Sequence, residues 1–140
     1  MKEEPGLLTF KGVAHPWMCD TMVHMNVRHY ASMFDDASFH LLGFISGSSS
    51  TANGLGWADV RSHTEYKREV APGELISIHS RVKKIGGSSI TFEHIMISTL
   101  DETVRAINET VSVRFDLTAR VAARLGDAER KRAEKLLIQI

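Results

Sequence analysis

The chain has 140 residues, a formal net charge of zero and 43% hydrophobic residues, which is typical of a single globular domain spanning residues 1–140. A neutral chain gives no overall attraction for nucleic acid or an anionic membrane surface, so we expect neither as a partner. The single cysteine, Cys19, excludes an internal disulfide and, with no signal-like or membrane-spanning apolar run, predicts a cytoplasmic protein.

The first predicted elements are a strand over residues 7–17 and a long helix over residues 27–44. Asn26 is predicted to cap the start of the helix, because its side chain can accept a hydrogen bond from a first-turn amide. Gly43 is predicted to be the C-cap. Apolar residues at spacings of three and four place one wide stripe on the helix: Tyr30, Met33, Phe34, Ala37, Leu41 and Phe44. Such a stripe predicts packing against a sheet.

A Ser/Gly-rich loop over residues 46–54 separates this helix from a region where polar and apolar residues alternate. The change of period predicts four strands, over residues 55–70, 74–85, 88–100 and 103–115. In the second strand the alternating apolar residues are Ile76, Ile78 and Val82. In the fourth they are Ile107, Val111, Val113 and Phe115, with Glu109 as an interruption.

The joins between these strands are short turns at residues 71–74, 86–89 and 100–103. Connections of this length predict antiparallel neighbours, because a parallel crossover needs a dozen or more residues. The charged segment 120–140 is predicted to be helical, with Gly126 as a weak point. The elements together predict an α+β fold in which an antiparallel sheet covers one buried helix.

Common catalytic and cofactor motifs are missing from the sequence. It contains no GxSxG, phosphate loop, dinucleotide loop, HExxH or CxxC, so we expect no metal and no cofactor. Asp20 opens the loop that leads to the helix N-terminus, where free amides carry partial positive charge. A carboxylate there can act on a carbonyl as a nucleophile, or as a general base on water. Spacing alone favours a plain capped loop over this catalytic interpretation.

Three segments together resemble the hotdog-fold acyl-CoA thioesterases of the 4-hydroxybenzoyl-CoA thioesterase type. In that family an aspartate is followed by histidine four residues later and by asparagine six residues later, and this chain has Asp20, His24 and Asn26. Residues 82–94 resemble the family's strand–turn–strand segment, and residues 110–116 resemble its last strand. The three segments occur in the family's order, which makes Asp20 the leading catalytic candidate.

The resemblance implies a hotdog fold, in which a curved antiparallel sheet wraps around one long central helix. It also implies hydrolysis of an acyl-CoA thioester to the free acid and CoA, with Asp20 as nucleophile or general base. By the same analogy, amides around Val27 and Arg28 polarise the thioester carbonyl, while His24 and Asn26 shape the loop or bind the substrate. Such domains form homodimers and often homotetramers, with active sites at the dimer interface.

Coenzyme A carries phosphates, and a neutral chain must bind them with a local cluster of cations. The hairpin between the second and third predicted strands offers Arg81, Lys83 and Lys84 beside the hydroxyls of Ser88 and Ser89. We predict that this hairpin binds CoA. A solvated, charged hairpin without a ligand is the alternative interpretation.

One departure from the family's pattern leaves the activity open. Val23 stands where the family usually has glycine, and a β-branched residue resists backbone conformations that glycine tolerates. A non-catalytic acyl-CoA-binding or scaffold protein with the same fold is the second hypothesis. A hotdog hydratase or dehydratase is disfavoured, because the loop resembles that of the thioesterases. The acyl group is not predicted.

Overall fold

The structure is a computed structural model, and it describes residues 6–47 and 52–138. Its helices are α1 (Val27–Ser46) and α2 (Asp127–Glu134). Its strands are β1 (Leu7–Val13), β2 (Leu55–Tyr66), β3 (Leu75–Ile85), β4 (Ser89–Ser98), β5 (Val104–Asp116) and β6 (Val121–Ala122). The predicted α+β class is confirmed, since one long helix packs against an antiparallel sheet.

The strands form one sheet in the order β1-β3-β4-β5-β2, and β6 also pairs with β5. The prediction that β2 and β3 are neighbours is wrong, because β2 ends at Tyr66 and not at residue 70. The longer connection crosses the end of the sheet, where the amides of Lys67 and Arg68 donate to the Arg105 carbonyl at 2.8 and 3.1 Å. As a result β2 lies at the edge of the sheet, beyond β5.

Helix α1 begins at the predicted cap but ends later than predicted. The Arg28 amide donates to Oδ1 of Asn26 at 3.1 Å, which confirms Asn26 as the N-cap. Gly43 is not the C-cap, because the helix continues through it to Ser46. The C-cap is Gly47, whose φ of 73° suits a residue without a Cβ atom.

The apolar stripe of α1 is buried as predicted up to Leu41. It then continues through Ile45, which is fully buried, and not through the predicted Phe44, which is 41% exposed. Two apolar clusters hold the helix on the sheet. One lies under its first half and includes Tyr30, Met33, Phe34, Ala37, Ile76, Ile78 and Met96. The other lies under its second half and includes Leu41, Leu42, Ile45, Val82, Ile90 and Phe92.

Strand β5 turns its polar residues toward α1. The buried side of this strand consists of Ala106, Asn108, Thr110, Ser112 and Arg114. The predicted apolar series, Ile107, Val111, Val113 and Phe115, lies half-buried on the opposite face. The alternation therefore predicts the strand correctly, but not which of its faces meets the helix.

The predicted elements near the two ends of the chain are also shorter than expected. Strand β1 stops at Val13 and not at residue 17, because Pro16 has no amide for a strand ladder and begins a short 3-10 turn. The helix predicted over residues 120–140 is replaced by β6 and α2, which starts after Gly126. Residues 48–51 of the predicted loop and residues 139–140 of this helix lie outside the described residues.

The chain returns to β3 after α2. The Val82 amide donates to the Leu136 carbonyl at 2.9 Å, and the Ile138 amide donates to the Val82 carbonyl at 2.8 Å. This contact lies just beyond the part of β3 that pairs with β1, whose register runs from Leu75 to Ser80. The last described residues thus cover the end of β3.

Candidate active site

Asp20 lies in a tight loop between the 3-10 turn and α1. An antiparallel bridge between Cys19 and Met25 closes the base of the loop. Inside it, the Asp20 amide donates to the His24 carbonyl at 3.1 Å, and the Val23 amide donates to the Asp20 carbonyl at 2.9 Å. The loop therefore presents the exposed Asp20 side chain beside the start of the helix.

Both carboxylate oxygens of Asp20 accept hydrogen bonds. Oδ1 accepts from the Met22 amide at 2.9 Å, and Oδ2 accepts from Nδ2 of Asn26 at 3.1 Å. These bonds, that from Met22 first, lower the pKa of Asp20 below its ordinary value of 3.8. At neutral pH the side chain is a carboxylate held in a fixed orientation.

Asn26 connects this carboxylate to the helix. Its Nδ2 donates to Asp20, while its Oδ1 accepts from the Arg28 amide. The Val27 amide has no hydrogen-bond acceptor among residues 6–47 and 52–138. Of the two amides predicted to polarise a carbonyl, that of Arg28 is therefore already bound to Asn26, whereas that of Val27 is not.

Val23 adopts a φ of 63°, in the left-handed region. Glycine enters this region readily, whereas an L-residue there carries a strain of about 1–2 kcal/mol, and a β-branched residue is a rare occupant. The side chain is 63% exposed, so its burial offsets little of that strain. The chain thus adopts a glycine-like conformation at the position where the family that the sequence resembles usually has glycine.

His24 points to the segment that follows β2. Its Nε2 lies 2.9 Å from Oε2 of Glu69, and the Met25 amide donates to the Val70 carbonyl at 2.8 Å. A cleft of about 240 Å³ lies between this segment and the start of α1. Its lining residues are His24, Met25, Val27, Tyr30, Tyr66, Lys67, Arg68 and Glu69. His24 therefore ties the Asp20 loop to one wall of a cleft.

The predicted CoA-binding cations are mostly paired with acids. Nη2 of Arg81 lies 3.1 Å from Oε1 of Glu93, and Nζ of Lys83 lies 3.1 Å from Oε2 of Glu109. Both pairs lie on the face of the sheet opposite α1. Lys84 is exposed and has no ion pair with another described residue. Of the three predicted cations, Lys84 is the one that remains available to a phosphate.

The hairpin that carries these cations lies at the far end of α1 from Asp20. Helix α2 contacts both the hairpin and the last turn of α1. Arg130 donates to the Gly86 carbonyl at 2.9 Å, and Arg132 donates to the Ile45 carbonyl at 3.0 Å. The 20 residues of α1 span about 30 Å. One copy of the chain therefore keeps the Asp20 loop apart from the predicted hydroxyls, which belong to Ser88 and Ser89.

A groove that the sequence did not indicate runs between α1 and β2. It consists of two adjoining cavities of about 320 and 100 Å³. The larger is lined mainly by apolar residues: Phe39, Leu42, Trp57, Phe115 and Leu117. The smaller is lined mainly by polar residues: Ser62, Thr64, Asn108 and Thr110. Asp35, Ser38 and Asp59 line both cavities.

Ser38 belongs to a buried chain of hydrogen bonds that crosses the sheet. Its Oγ lies 2.8 Å from Nε2 of His94, whose Nδ1 lies 2.5 Å from Oγ of Ser80. Oγ of Ser80 lies 2.6 Å from Oγ1 of Thr9, which donates to the Ile78 carbonyl at 3.2 Å. Burial lowers the pKa of His94 from 6.5 to about 3, so the ring is neutral at physiological pH.

Backbone carbonyls lie at both ends of this chain, because Thr9 Oγ1 donates to the Ile78 carbonyl and Ser38 Oγ donates to the Phe34 carbonyl at 3.0 Å. A carbonyl only accepts, so both of these hydroxyls have an acceptor for their proton. The neutral His94 ring carries a single N–H for its two hydroxyl neighbours, Ser38 and Ser80.

One sequence signal could have drawn attention to this second site. Ser38 lies four residues after Phe34 and three before Leu41, so it is a polar position within the apolar stripe of α1. Its partner His94 is 56 residues away along the chain, and no spacing rule joins them.

The described residues contain no group of three or more His, Cys, Asp and Glu side chains placed to hold a metal ion. Among the same residues, no helix has both the length and the apolar character needed to cross a bilayer.

Solved structures with the same fold include several thioesterases. A probable thioesterase from Escherichia coli is 19% identical, with a TM-score of 0.76 over 91% of this chain and 96% of the other. A 1,4-dihydroxy-2-naphthoyl-CoA thioesterase from Synechocystis is 12% identical, with a TM-score of 0.79 over 94% and 98%. A Staphylococcus aureus protein solved in complex with CoA is 14% identical, with a TM-score of 0.83 over 100% and 92%. These likenesses confirm the predicted hotdog fold.

No curated protein sequence is significantly similar to this chain. Residues 14–134, however, match the family model described as the Thioesterase-like superfamily. Since this match covers most of the chain, the protein belongs to the Thioesterase-like superfamily.

Proposed function

We propose that the protein hydrolyses an acyl-CoA thioester to the free acid and CoA, as a thioesterase of the 4-hydroxybenzoyl-CoA thioesterase type. The observation that carries the proposal is the Asp20 carboxylate, fixed by two hydrogen bonds beside the start of α1. Among the proteins of the same fold, one was solved with CoA and another is a CoA thioesterase. Both are in keeping with a CoA thioester as the substrate.

In the proposed reaction, a carboxylate oxygen of Asp20 attacks the thioester carbonyl carbon. The resulting oxyanion accepts a hydrogen bond from the Val27 amide, which has no acceptor among the described residues. The C–S bond then breaks, and the thiolate of CoA leaves and takes a proton from solvent. Water hydrolyses the mixed anhydride and restores Asp20. The lowered pKa of Asp20 keeps the side chain charged at neutral pH, which both this route and general-base activation of water require.

Neighbouring side chains keep the nucleophile in place. Asn26 aligns Asp20 with the helix, because it binds both the carboxylate and the Arg28 amide. His24 holds the loop against the segment after β2 through Glu69. Both residues are therefore proposed as positioning residues at the entrance for the thioester.

We further propose that the working form is a homodimer or homotetramer in which a second copy supplies the CoA-binding hairpin. Lys84 is exposed for a phosphate, and Arg81 and Lys83 lie nearby in ion pairs with acids. This hairpin and Asp20 lie at opposite ends of α1 in one copy, and α1 is about 30 Å long. A partner in the reverse orientation would bring them together. The unpaired Cys19 accords with the predicted cytoplasmic location.

The reaction can be tested by thiol release from a panel of acyl- and aroyl-CoAs that includes 4-hydroxybenzoyl-CoA. We expect Asp20→Asn to lower turnover at least about a hundredfold, because it removes the attacking charge. Asp36→Asn is the matched control, since Asp36 is an exposed aspartate on α1 away from the loop, and it should leave turnover unchanged.

Two results would contradict the proposed reaction: no thioester cleaved above the buffer rate, or full activity in Asp20→Asn. Binding of acyl-CoA without cleavage would instead support the non-catalytic alternative.

The shared site can be tested by mixing two variants. Asp20→Asn removes the nucleophile, and Lys84→Glu places a negative charge on the hairpin. After the two proteins are unfolded together and refolded, mixed dimers contain one intact site, so activity should recover to about a quarter of wild type. Activity that stays at the level of the separate variants would show that each copy works alone.

A further inference from the structure

The groove between α1 and β2 follows on from the cleft beside the Asp20 loop. The cleft, the smaller cavity and the larger cavity succeed one another along the helix. Their lining residues on α1 are, in this order, Val27 and Tyr30, Ala31 and Phe34, and Phe39 and Leu42. Their lining residues on β2 occur in reverse chain order: Tyr66, Thr64 and Trp57. A single track therefore leads from the Val27 amide to Trp57.

The uncharged polar side chains along this track are already bonded to the protein. Nδ2 of Asn108 donates to the hydroxyls of Ser62 and Thr64, both at 2.9 Å. Oδ1 of Asn108 accepts from the Thr110 hydroxyl at 2.7 Å. The Ser38 hydroxyl donates to a backbone carbonyl of its own helix at 3.0 Å. A hydrocarbon chain can therefore lie along the groove without leaving these groups unpaired.

The rest of the lining also suits a hydrocarbon chain. The two charged residues, Asp35 and Asp59, are exposed, so their carboxylates remain hydrated beside the chain. The larger cavity is otherwise lined mainly by apolar side chains, which are Phe39, Leu42, Trp57, Phe115 and Leu117. Walls of this kind, largely hydrophobic and aromatic, are typical of sites for apolar ligands.

Trp57 forms a fixed wall at the far end of the track. Its Nε1 donates to Oγ of Ser46 at 3.0 Å, which ties the indole to the last turn of α1. The guanidinium of Arg114 lies over the ring, with Cζ 4.8 Å from the ring centroid. A cation in this position is attracted to the face of the indole. The indole is therefore held from both α1 and β5.

Helix α2 holds Arg114 in place. Arg114 is 4% exposed, and its Nη2 lies 2.9 Å from Oε2 of Glu129. Its Nη1 donates to the Gly56 carbonyl at 3.2 Å. Oε1 of Glu129 accepts from the Gly126 amide at 2.9 Å, so Glu129 is itself fixed at the start of α2. Glu129 does not line the groove, but it acts on the wall of the groove through Arg114.

We propose that this groove binds the hydrocarbon chain of a long fatty acyl group, and that Trp57 is the specificity-determining residue that limits the length of this chain. Arg114 and Glu129 are positioning residues for Trp57. The helix rises about 22 Å from Val27 to Leu42, which corresponds to roughly sixteen to eighteen carbons at ~1.2 Å per bond of an extended chain. The inference rests on the proposed thioester hydrolysis for its substrate, but binding can be tested separately.

The first experiment measures kcat/KM for saturated acyl-CoAs with 6, 10, 16 and 20 carbons, below the concentration at which they form micelles. We expect kcat/KM to rise at least about tenfold from the hexanoyl to the hexadecanoyl thioester, because more methylene groups are buried, and to fall for the 20-carbon chain. Trp57→Ala removes the wall, so the 20-carbon chain should be cleaved as well as the 16-carbon chain.

Two control variants accompany this comparison. Trp57→Phe keeps an aromatic wall and should retain the limit near sixteen carbons. Phe44→Ala removes an exposed aromatic side chain of α1 that does not line the groove, and it should leave the dependence on chain length unchanged.

The positioning role is tested with Glu129→Gln. This change removes the charge that holds Arg114, so we expect KM for the hexadecanoyl thioester to rise about fivefold, while its kcat and both constants for the hexanoyl thioester stay unchanged. Glu134→Gln, at an exposed acid of the same helix, is the matched control. An equal loss of activity toward both thioesters would mean that Glu129 has only a structural role.

The second experiment does not depend on hydrolysis. In Trp17→Phe, Trp57 is the only tryptophan of the chain, so its fluorescence reports on the end of the groove. We expect S-hexadecyl-CoA, a thioether that cannot be hydrolysed, to shift the emission of Trp57 to shorter wavelength, because the chain displaces water from the indole. S-hexyl-CoA is too short to reach Trp57 and should leave the emission unchanged.

The two proposals fail in different ways. Thioester hydrolysis with no dependence on chain length would overturn the groove inference and leave the proposed function intact. A shift of Trp57 emission with S-hexadecyl-CoA, in a protein that cleaves no thioester, would support the groove and overturn the proposed function. Unchanged emission with S-hexadecyl-CoA, or the same chain-length limit in the wild type and Trp57→Ala, would overturn the inference.

Discussion

Asp20 and His94 each have hydrogen-bond partners on two sides, and each has a lowered pKa. At neutral pH, however, Asp20 is charged and His94 is neutral. Asp20 is exposed, and donors from Met22 and Asn26 favour its charged form. His94 is fully buried, and burial favours its neutral form. At the start of α1, hydrogen bonds maintain a charge that can react. Under the middle of the helix, they satisfy polar groups that burial removes from water.

The largest expected effect is the loss of stability when the buried residue of this pair, His94, is removed. His94→Ala removes a fully buried ring and leaves Ser38 and Ser80 without their partner, so we expect a loss of about 3 kcal/mol or more in the free energy of unfolding. Urea denaturation at pH 7 measures it. His63→Ala, at an exposed position of β2, is the control and should cost less than about 0.5 kcal/mol. Equal losses in the two variants would mean that the buried chain contributes nothing.

The two residues should lose their contributions to the free energy of unfolding at different pH values. The unfolded chain protonates His94 near pH 6.5, whereas the folded protein does so near about 3, so stability falls as the pH is lowered through this window. The slope is at most about 1.4 kcal/mol per pH unit, or roughly 2 kcal/mol between pH 6 and 4.5. Asp20 also has a lowered pKa, but its contribution is present above its ordinary value of 3.8 and is lost only below it.

The measurement is the free energy of unfolding of wild type and His94→Gln from pH 7 to pH 4. The advantage of the wild type over the variant should shrink steadily as the pH falls. An advantage that stays constant across this range would show that His94 does not titrate differently on folding.

Changes at Asn26 should perturb the exposed network more mildly. Asn26→Ala removes the helix cap, at a cost of about 1 kcal/mol, and takes one donor from Asp20. Asn26→Asp keeps a capping acceptor but places a second carboxylate beside Asp20. We expect the pKa of Asp20 to rise in both variants and more in Asn26→Asp, as read by NMR titration of the Asp20 carboxyl, with thermal unfolding for stability. An unchanged titration in both variants would rule out Asn26 as the residue that tunes Asp20.

The smallest effect should come from the strained residue of the Asp20 loop. Val23→Gly removes the strain of the left-handed conformation but increases the conformational entropy of the unfolded chain. We therefore expect a net gain of up to about 1 kcal/mol in the free energy of unfolding. Val23→Ala keeps a Cβ atom and should gain less. Chemical denaturation measures both variants. A clear loss of stability in Val23→Gly would mean that the valine side chain, and not its backbone, shapes the loop.

Local features of the molecule were predictable from sequence, because neighbouring residues make them. The Asn26 cap and the alternation in β3 are of this kind. The groove was not predictable, because Ser38 and His94 meet only after β4 has been placed under α1. The wrong face was expected for β5, since its buried side is hydroxyl- and amide-rich and its apolar residues lie outside.

The predicted cluster of CoA-binding cations was misleading for the same reason, since distant residues decide which charges are paired. Arg81 and Lys83 read as a basic cluster along the chain, but strand pairing brings Glu93 and Glu109 beside them. The place of β2 at the far edge of the sheet likewise depended on where that strand stopped, a boundary that residue preferences mark only loosely.

The segment after α2 has a consequence for the solubility of the chain. Beyond Ser80, strand β3 has lost β1 as a neighbour, and Leu136 and Ile138 occupy the backbone groups of Val82 in its place. Unpaired amides and carbonyls on a strand edge are a template for pairing with another molecule. Removal of these few residues would therefore be expected to promote aggregation through β3, even though they lie far from Asp20 and from the groove.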